Sequence, residues 1–277
     1  MKVRITTLSE NSAGNNAVAE WGLGMLVEAD GKKILFDTGA GTAAMLNVNG
    51  WNLDITDIDA IVLSHGHYDH TGGLYEVLKR TGPKDIYAHP DIWASKYGSM
   101  DGTPPRFIGI PHRREALEAL GAAFHLSREP QKLSDAITTT GEVPMQTDYE
   151  HIEAYLKARE DGELKPDPFN DDLSLVIDTD FGLVVVLGCA HRGIINNLKQ
   201  AQKVTGKEHI YAAIGGTHLL HASQERLEQT GVALLEMGVE YLGVSHCTGF
   251  GAAAYLATLF GDRFFQNNAG TRLELPF

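Results

Sequence analysis

The segment Ser64-His65-Gly66-His67-Tyr68-Asp69-His70-Thr71-Gly72-Gly73 constrains this chain more than any other stretch. It places three histidines and one aspartate within six residues. Directly before it runs Ala60-Ile61-Val62-Leu63, a continuous apolar run of the kind that forms a strand buried on both faces. Imidazole is the commonest metal ligand near neutral pH, and a carboxylate completes a hard-to-borderline site. Gly66 lets the loop bend tightly, so side chains two apart can converge. Asp69 and His70, adjacent in sequence, diverge toward a second point. The spacing predicts two neighbouring metal positions, one held mainly by His65 and His67, the other by Asp69 and His70. Paired ions suit hydrolysis, since one activates water while both stabilise developing charge. A polar turn of solvated histidines is the competing reading, and the density of ligand-type side chains argues against it.

Around this loop short strands alternate with helices. Residues 3–8, 23–28 and 33–36 read as strands, and Asp30-Gly31 between the last two is a hairpin signal. A helix over 73–80 closes at Gly82-Pro83, and 86–88 is a further strand. Residues 100–111 read as loop, and 113–120 as a helix stopped by Gly121. The polar stretch 145–170 reads as a lid-like excursion over one face, with a short helix at 150–159. Its aromatics, Tyr149, Tyr155 and Phe169, are suited to stack on a planar ring. Strands follow at 173–178, 183–187, 210–214 and 241–244, with helices at 194–204, 223–236 and 252–260. Ser223 is placed to cap its helix, with Glu225 in the first turn. The layout is mixed α/β, with strands enough for two sheets. No linker divides the 277 residues, so they read as one domain with the 145–170 insertion.

Composition narrows the function. Hydrophobic residues make up 43% and charged residues 21%, an ordinary globular balance. The formal charge is −13, and no basic stripe is present to neutralise phosphates, which argues against a nucleic-acid partner. Two cysteines, Cys189 and Cys247, are no disulfide framework. The start has no apolar h-region, and the most apolar stretch, 182–190, is too short to span a bilayer. The expectation is a cytoplasmic protein without a membrane partner. Oligomeric state is not readable.

His-x-His-x-Asp-His before Thr-Gly-Gly resembles the signature loop of the metallo-β-lactamase superfamily. Leu35-Phe36-Asp37-Thr38-Gly39 resembles that superfamily's Asp-Thr-Gly turn, whose aspartate typically buttresses the metal loop. Three later blocks recur in order: Gly188-Cys189-Ala190-His191-Arg192-Gly193-Ile194, Gly215-Gly216-Thr217-His218-Leu219 and Ser245-His246-Cys247-Thr248-Gly249. They resemble one branch of the superfamily, the branch of the dihydropterin ribofuranosyl-aminobenzene 5′-phosphate synthase of methanopterin biosynthesis. The resemblance implies an αββα sandwich of two mixed sheets flanked by helices, with two divalent metal ions at one edge. Zinc is the first expectation, with manganese or iron as alternatives.

His191, His218 and His246 each follow an expected strand, and strand ends on one sheet edge can point at a common site. By analogy His191 joins His65 and His67, and His246 joins Asp69 and His70. Two departures matter. The stretch Phe169-Asn170-Asp171-Asp172-Leu173 lacks the histidine that many members place there, and Cys189 stands where a bridging aspartate is usual. Either Cys189 ligates, or His191 supplies the ligand from the same turn, or Asp172 contributes. For Cys189 itself a packing or supporting role is the favoured reading. His218 is a candidate acid or phosphate-oxygen donor, and Asp69 a candidate for orienting the attacking water as well as binding metal. Thr248 is a further substrate-side candidate, and Arg192 could meet an anionic group. Asn16 and Glu20 are weaker pocket candidates. His89 reads as structural, and His112, His125, His151, His209 and His221 as surface or core.

These readings favour a metal-dependent hydrolase acting on a phosphoester, ester or lactone. A transferase-like condensation on a pterin diphosphate uses the same ligands. A metal-bearing binding or redox module is the third reading. In each case the partner is a small and, in the first two, anionic molecule.

Overall fold

The computed structural model describes residues 1–14, 16–99 and 103–277. In chain order the first half supplies β1 (Val3–Ser9), β2 (Gly24–Ala29), β3 (Lys32–Phe36), α1 (Ala43–Gly50), β4 (Ala60–Val62), α2 (Tyr68–Thr71), α3 (Leu74–Thr81), β5 (Lys84–Ala88), β6 (Lys96–Gly98), β7 (Arg106–Phe107), α4 (Arg114–Ala119) and β8 (Ala122–Leu126). The second half supplies β9 (Ile137–Thr139), β10 (Leu156–Glu160), β11 (Glu163–Pro166), β12 (Ser174–Thr179), β13 (Gly182–Leu187), α5 (Ile194–Thr205), β14 (Ile210–Gly216), α6 (Gln224–Glu236), β15 (Tyr241–Ser245), α7 (Phe250–Phe260), β16 (Phe264–Gln266) and β17 (Arg272–Leu275).

Two large sheets carry the fold. One runs β17-β1-β2-β3-β4-β5-β8 and the other β16-β15-β14-β13-β12-β9. Each is antiparallel at one end and parallel at the other: β3, β4, β5 and β8 run together, as do β13, β14, β15 and β16. Apolar side chains decide the layering. Ile5, Val27 and Phe36 of the first sheet pack against Leu175, Val184 and Ile214 of the second. The outer face of the first sheet buries Leu35, Ile61 and Ile86 against Leu74, Val77 and Leu78 of α3. The outer face of the second buries Val185, Ala213 and Val244 against α5, α6 and α7. The result is helix, sheet, sheet, helix, the αββα sandwich that the sequence implied. Continuous burial of β4 and β13 follows, since both faces of each are covered.

Asp30 and Gly31 turn the β2–β3 hairpin with φ of 49° and 69°, the left-handed pair a two-residue primed turn requires. Ser223 caps α6 as expected, accepting from the Arg226 amide.

One expectation is corrected. Residues 150–159 do not form a helix: β10 and β11 make a hairpin through Asp161-Gly162, with φ of 49° and 86°. This hairpin joins β6 and β7 in a third sheet, ordered β11-β10-β6-β7. Leu156 and Ala158 are buried on one side of β10, while Arg159 and Glu160 are exposed. Strands β6, β8, β9, β16 and β17 also lie where no strand was read. Of the expected loop 100–111, residues 100–102 lie outside the described residues, and β7 interrupts the remainder.

Candidate metal centre

Parallel strands release their loops at one edge of the sandwich, and the ligand-type residues gather there. Asp37 follows β3, His65 follows β4, Cys189 and His191 follow β13, His218 follows β14 and His246 follows β15. The Nε2 atom of His65 lies 3.1 Å from Nδ1 of His67 and 3.2 Å from Nε2 of His191. A second group forms where His70 Nε2 lies 3.3 Å from His246 Nε2, which is itself 3.3 Å from Asp69 Oδ2. Cys189 connects the groups. Its sulfur is 3.1 Å from His70 Nε2, and it falls within ligand reach of both His65 with His191 and His70 with His246.

The spacing of these atoms suits a metal. Two nitrogens each about 2.1 Å from a tetrahedral zinc lie about 3.4 Å apart. Facing imidazole nitrogens at 3.2 and 3.3 Å match that spacing. His67 Nε2 and His191 Nδ1 have no hydrogen-bond partner. Burial holds the pKa values of His65, His67 and His191 well below the usual histidine range, so these rings are neutral and ready to ligate. Burial also pushes the Cys189 thiol up, and a coordinating ion would remove that proton.

The second group is held by hydrogen bonds. Burial alone would lower His70, but Asp37 Oδ2, 2.7 Å from Nδ1, outweighs it and raises the pKa to about 9. Asp37 also accepts from the Ser64 amide at 2.8 Å and its hydroxyl at 2.6 Å, fixing the start of the metal loop. His246 Nδ1 lies 2.8 Å from Asn11 Oδ1, and its amide donates to Glu10 at 2.6 Å. Burial would raise the Asp69 carboxyl, yet the bond from His246 and the neighbouring histidines hold it well below the usual range.

Backbone strain concentrates here. Of nine non-glycine residues with positive φ among the described residues, Asp37, Phe169, Ala190, His218 and His246 lie at this edge. Each such residue costs of order 1–3 kcal/mol and persists only where the surroundings impose it.

A cleft of about 170 Å³ opens above the ligand atoms, lined by Trp21, Tyr68, Ile108, Tyr155, Leu156 and His218 among others. On its wall His218 Nδ1 lies 2.9 Å from Glu153 Oε2, and Arg226 holds the other Glu153 oxygen at 3.2 Å. Burial would lower His218, but the Glu153 bond prevails and raises it.

A sequence model of the metallo-beta-lactamase superfamily matches residues 22–197. The chain belongs to that superfamily. It is 36% identical, over 97% of its length and 95% of the relative's, to the 7,8-dihydropterin-6-methyl-4-(beta-D-ribofuranosyl)-aminobenzene-5'-phosphate synthase of Methanocaldococcus jannaschii. An uncharacterized protein of the same organism is 32% identical over 96% of this chain and 98% of its own. Among solved structures, Tm1679, a metal-dependent hydrolase of the beta-lactamase superfamily, superposes with a TM-score of 0.85 at 28% identity, covering 98% of both chains. The chain is thus an enzyme of a superfamily whose members generally bind divalent metals, and both a synthase and a hydrolase stand among its relatives.

Within this metallo-β-lactamase-like centre the sequence candidates divide. His65, His67, Asp69, His70, His191, His246 and Cys189 come together, with Asp37 behind His70. Cys189, for which a packing role was favoured, occupies the junction. Asp172 does not reach the ligand atoms: its Oδ2 accepts from the Arg192 amide and Asn197, and burial pushes its pKa up to about 6. Arg192 turns to Asn170 and Glu142 rather than into the cleft. Thr248 bonds Thr217 and faces a neighbouring depression. Asn16 and Glu20 bond the Trp51 indole and the amides of Ala40 and Thr42, away from the centre. His89 is buried and accepts from the Asp91 amide. Glu153, Asn11 and Trp21 were not read as site residues, and Phe169, expected to stack on a planar ring, is buried and stacks on His191 instead. Only Asp161-Gly162, a hairpin signal, could have hinted that the strand after Glu153 returns to the cleft. No helix among the described residues is long and apolar enough to cross a membrane.

Proposed function

We propose that the protein is a metal-dependent hydrolase that cleaves a small anionic ester, with phosphoesters first and carboxylic esters or lactones as the wider class. The observation that supports this reading is the placement of both ligand groups beneath one cleft, with the His218–Glu153 pair on its wall. His65, His67 and His191 would hold one ion, and Asp69, His70 and His246 a second, with the Cys189 sulfur between them. A nitrogen-rich set with a thiolate favours zinc over manganese. When bound, such ions supply Lewis acidity, lowering the pKa of water and offsetting charge on substrate oxygens.

The chain's own groups do the remaining work. Asp69, kept ionised, orients the attacking water. His218 Nδ1 is paired with Glu153 Oε2 at 2.9 Å, leaving Nε2 as the atom His218 presents to a substrate oxygen. No Lys or Arg lines the cleft among the described residues, so His218 is the side chain left to meet an anionic group beside any ions the centre would hold. The cleft is smaller than the roughly 300–1,000 Å³ of most ligand pockets, so it takes the reacting group while the rest of the substrate lies at the mouth. There the 145–170 insertion acts as a lid-like wall through Tyr155 and Leu156.

A second reading, a condensing enzyme acting on a pterin diphosphate, is supported by the 36% identity to the synthase along almost the whole chain. Zinc-loaded protein assayed against phosphomonoesters, phosphodiesters and lactones tests the first. Turnover only with a pterin diphosphate and an aminobenzene-ribose phosphate acceptor would transfer the site to the second. No turnover in either assay, with zinc bound, would remove both.

A further inference from the structure

Lys96 is 1% exposed, an unusual place for an ammonium. Its Nζ lies 2.8 Å from Asp167 Oδ2 and 2.8 Å from Asp171 Oδ1, both carboxylates being buried as well. Burial would lower the Lys96 pKa, but the two carboxylates outweigh it and keep the charge. A buried ion cluster is a weak source of stability, because desolvation offsets much of the attraction. What distinguishes this cluster is where its second atoms go.

Asp171 Oδ2 accepts from the Gly66 amide at 2.8 Å, and Gly66 is the residue between His65 and His67. A Cβ at Gly66 would meet the Ile92 carbonyl oxygen at 2.1 Å, so only glycine lets the metal loop approach this closely. Lys96 Nζ also sits 4.4 Å over the Phe169 ring. Phe169 stacks on His191, with centroids 4.0 Å apart and planes 21° apart, and meets His67 edge-on at 5.2 Å. All three histidines of the first group therefore touch this cluster through one intermediary. His70 and His246 rest on Asp37 and Asn11 instead.

We propose that Asp171, fixed by Lys96, is a positioning residue for the His65–His67–His191 group, with Phe169 as the second arm of the same support. His67 Nε2 and His191 Nδ1 lack the polar partners that usually orient a ligating imidazole, so ring packing and the loop amide take over that task. Because Lys96 belongs to β6 of the third sheet, the sheet that carries Tyr155 and Leu156 to the cleft is tied to the first metal group by the same contact.

The inference rests on the metal reading above, and zinc binding separates the two. Wild type, D171N, D167N and F169L are compared by competition with a chromogenic chelator, with the melting temperature of each apoprotein as a folding control. Asp167 and Asp171 pair with Lys96 at equal distances, but only Asp171 reaches Gly66. D171N is expected to weaken one of two zinc equivalents by about 10- to 100-fold. F169L, which alters no charge, weakens the same equivalent, and D167N, at a residue that accepts from the Phe169 amide at 2.8 Å but does not reach Gly66, weakens it by less than D171N. Equal losses in D171N and D167N, tracking the apoprotein melting temperatures, would overturn the proposal in favour of bulk stability. Unchanged zinc binding in F169L would also overturn it, even if D171N does not fold. Wild-type protein that binds no zinc would overturn the metal reading itself.

Discussion

The two ligand groups are built from the same residue types yet supported in opposite ways. His70 is clamped by a buried carboxylate and His246 by an amide oxygen, so the second group is oriented by directed hydrogen bonds. His191 is stacked on Phe169 with its Nδ1 unpartnered, as is His67 Nε2, so these two rings of the first group are oriented by packing and one loop amide, and only His65, 2.9 Å from the Ser64 hydroxyl, has a polar partner. Hydrogen bonding to a ligand's distal nitrogen raises its basicity as well as fixing its angle. Packing fixes the angle alone. The comparison teaches that two half-sites beneath one cleft can differ in electronic tuning without differing in ligand type.

The largest expected effect comes from removing what the groups share. Cys189→Ala takes a candidate ligand from both, and turnover with the substrate found in the screen should fall by more than the roughly 10- to 100-fold that loss of a supporting partner costs. Metal analysis should show both equivalents reduced. If only one is reduced, Cys189 belongs to a single group.

Asp37→Asn comes next. It should weaken the second group by about 10- to 100-fold and the first by less, since Asp37 reaches His65 only through the Ser64 hydroxyl, 2.9 Å from His65 Nδ1. Isothermal titration with zinc would resolve the two equivalents, and an equal loss at both would remove the difference in support between the groups.

The apoprotein should then show opposite pH limbs. His70 is raised to about 9 in the fold, so its contribution is fully present below the ordinary histidine value near 6.5 and is lost as pH rises through about 9. His65, His67 and His191 are lowered, so the unfolded chain binds more protons and stability falls as pH drops below about 6.5. Melting temperature of chelated protein against pH should fall on both sides, and His70→Gln should flatten the alkaline limb only.

The smallest effect is expected at Arg192. Its guanidinium faces Asn170 and Glu142, so Arg192→Gln should change kcat/KM by no more than about twofold, the equivalent of roughly 0.5 kcal/mol. A larger loss confined to KM would bring Arg192 back as a substrate group.

The third sheet shows how far local sequence reaches. Lys157, Arg159, Glu160 and Lys165 are ordinary helix formers, and only Leu156 and Ala158 face inward, so neither period stands out. Asp161-Gly162 carried the turn signal, but pairing with β6, some sixty residues earlier, is what turned a polar segment into a strand. Glu153 is in the same position: a charged residue in a polar stretch is unremarkable until Arg226 and His218 arrive beside it.

By itself the sequence determined the metal loop, its buried strand and the β2–β3 turn, because these depend on neighbours in the chain, while the αββα layering came from the resemblance its motifs carry. It also named the histidines at strand ends, since parallel strands leave their loops on one edge. Only the tertiary structure decided that Cys189 stands at the junction, that Asp172 holds the Arg192 amide and the Asn197 side chain while Asp171 meets Gly66, and that the two groups are supported differently. Those outcomes turn on contacts between residues tens to hundreds of positions apart, where one side-chain direction separates a ligand from a support.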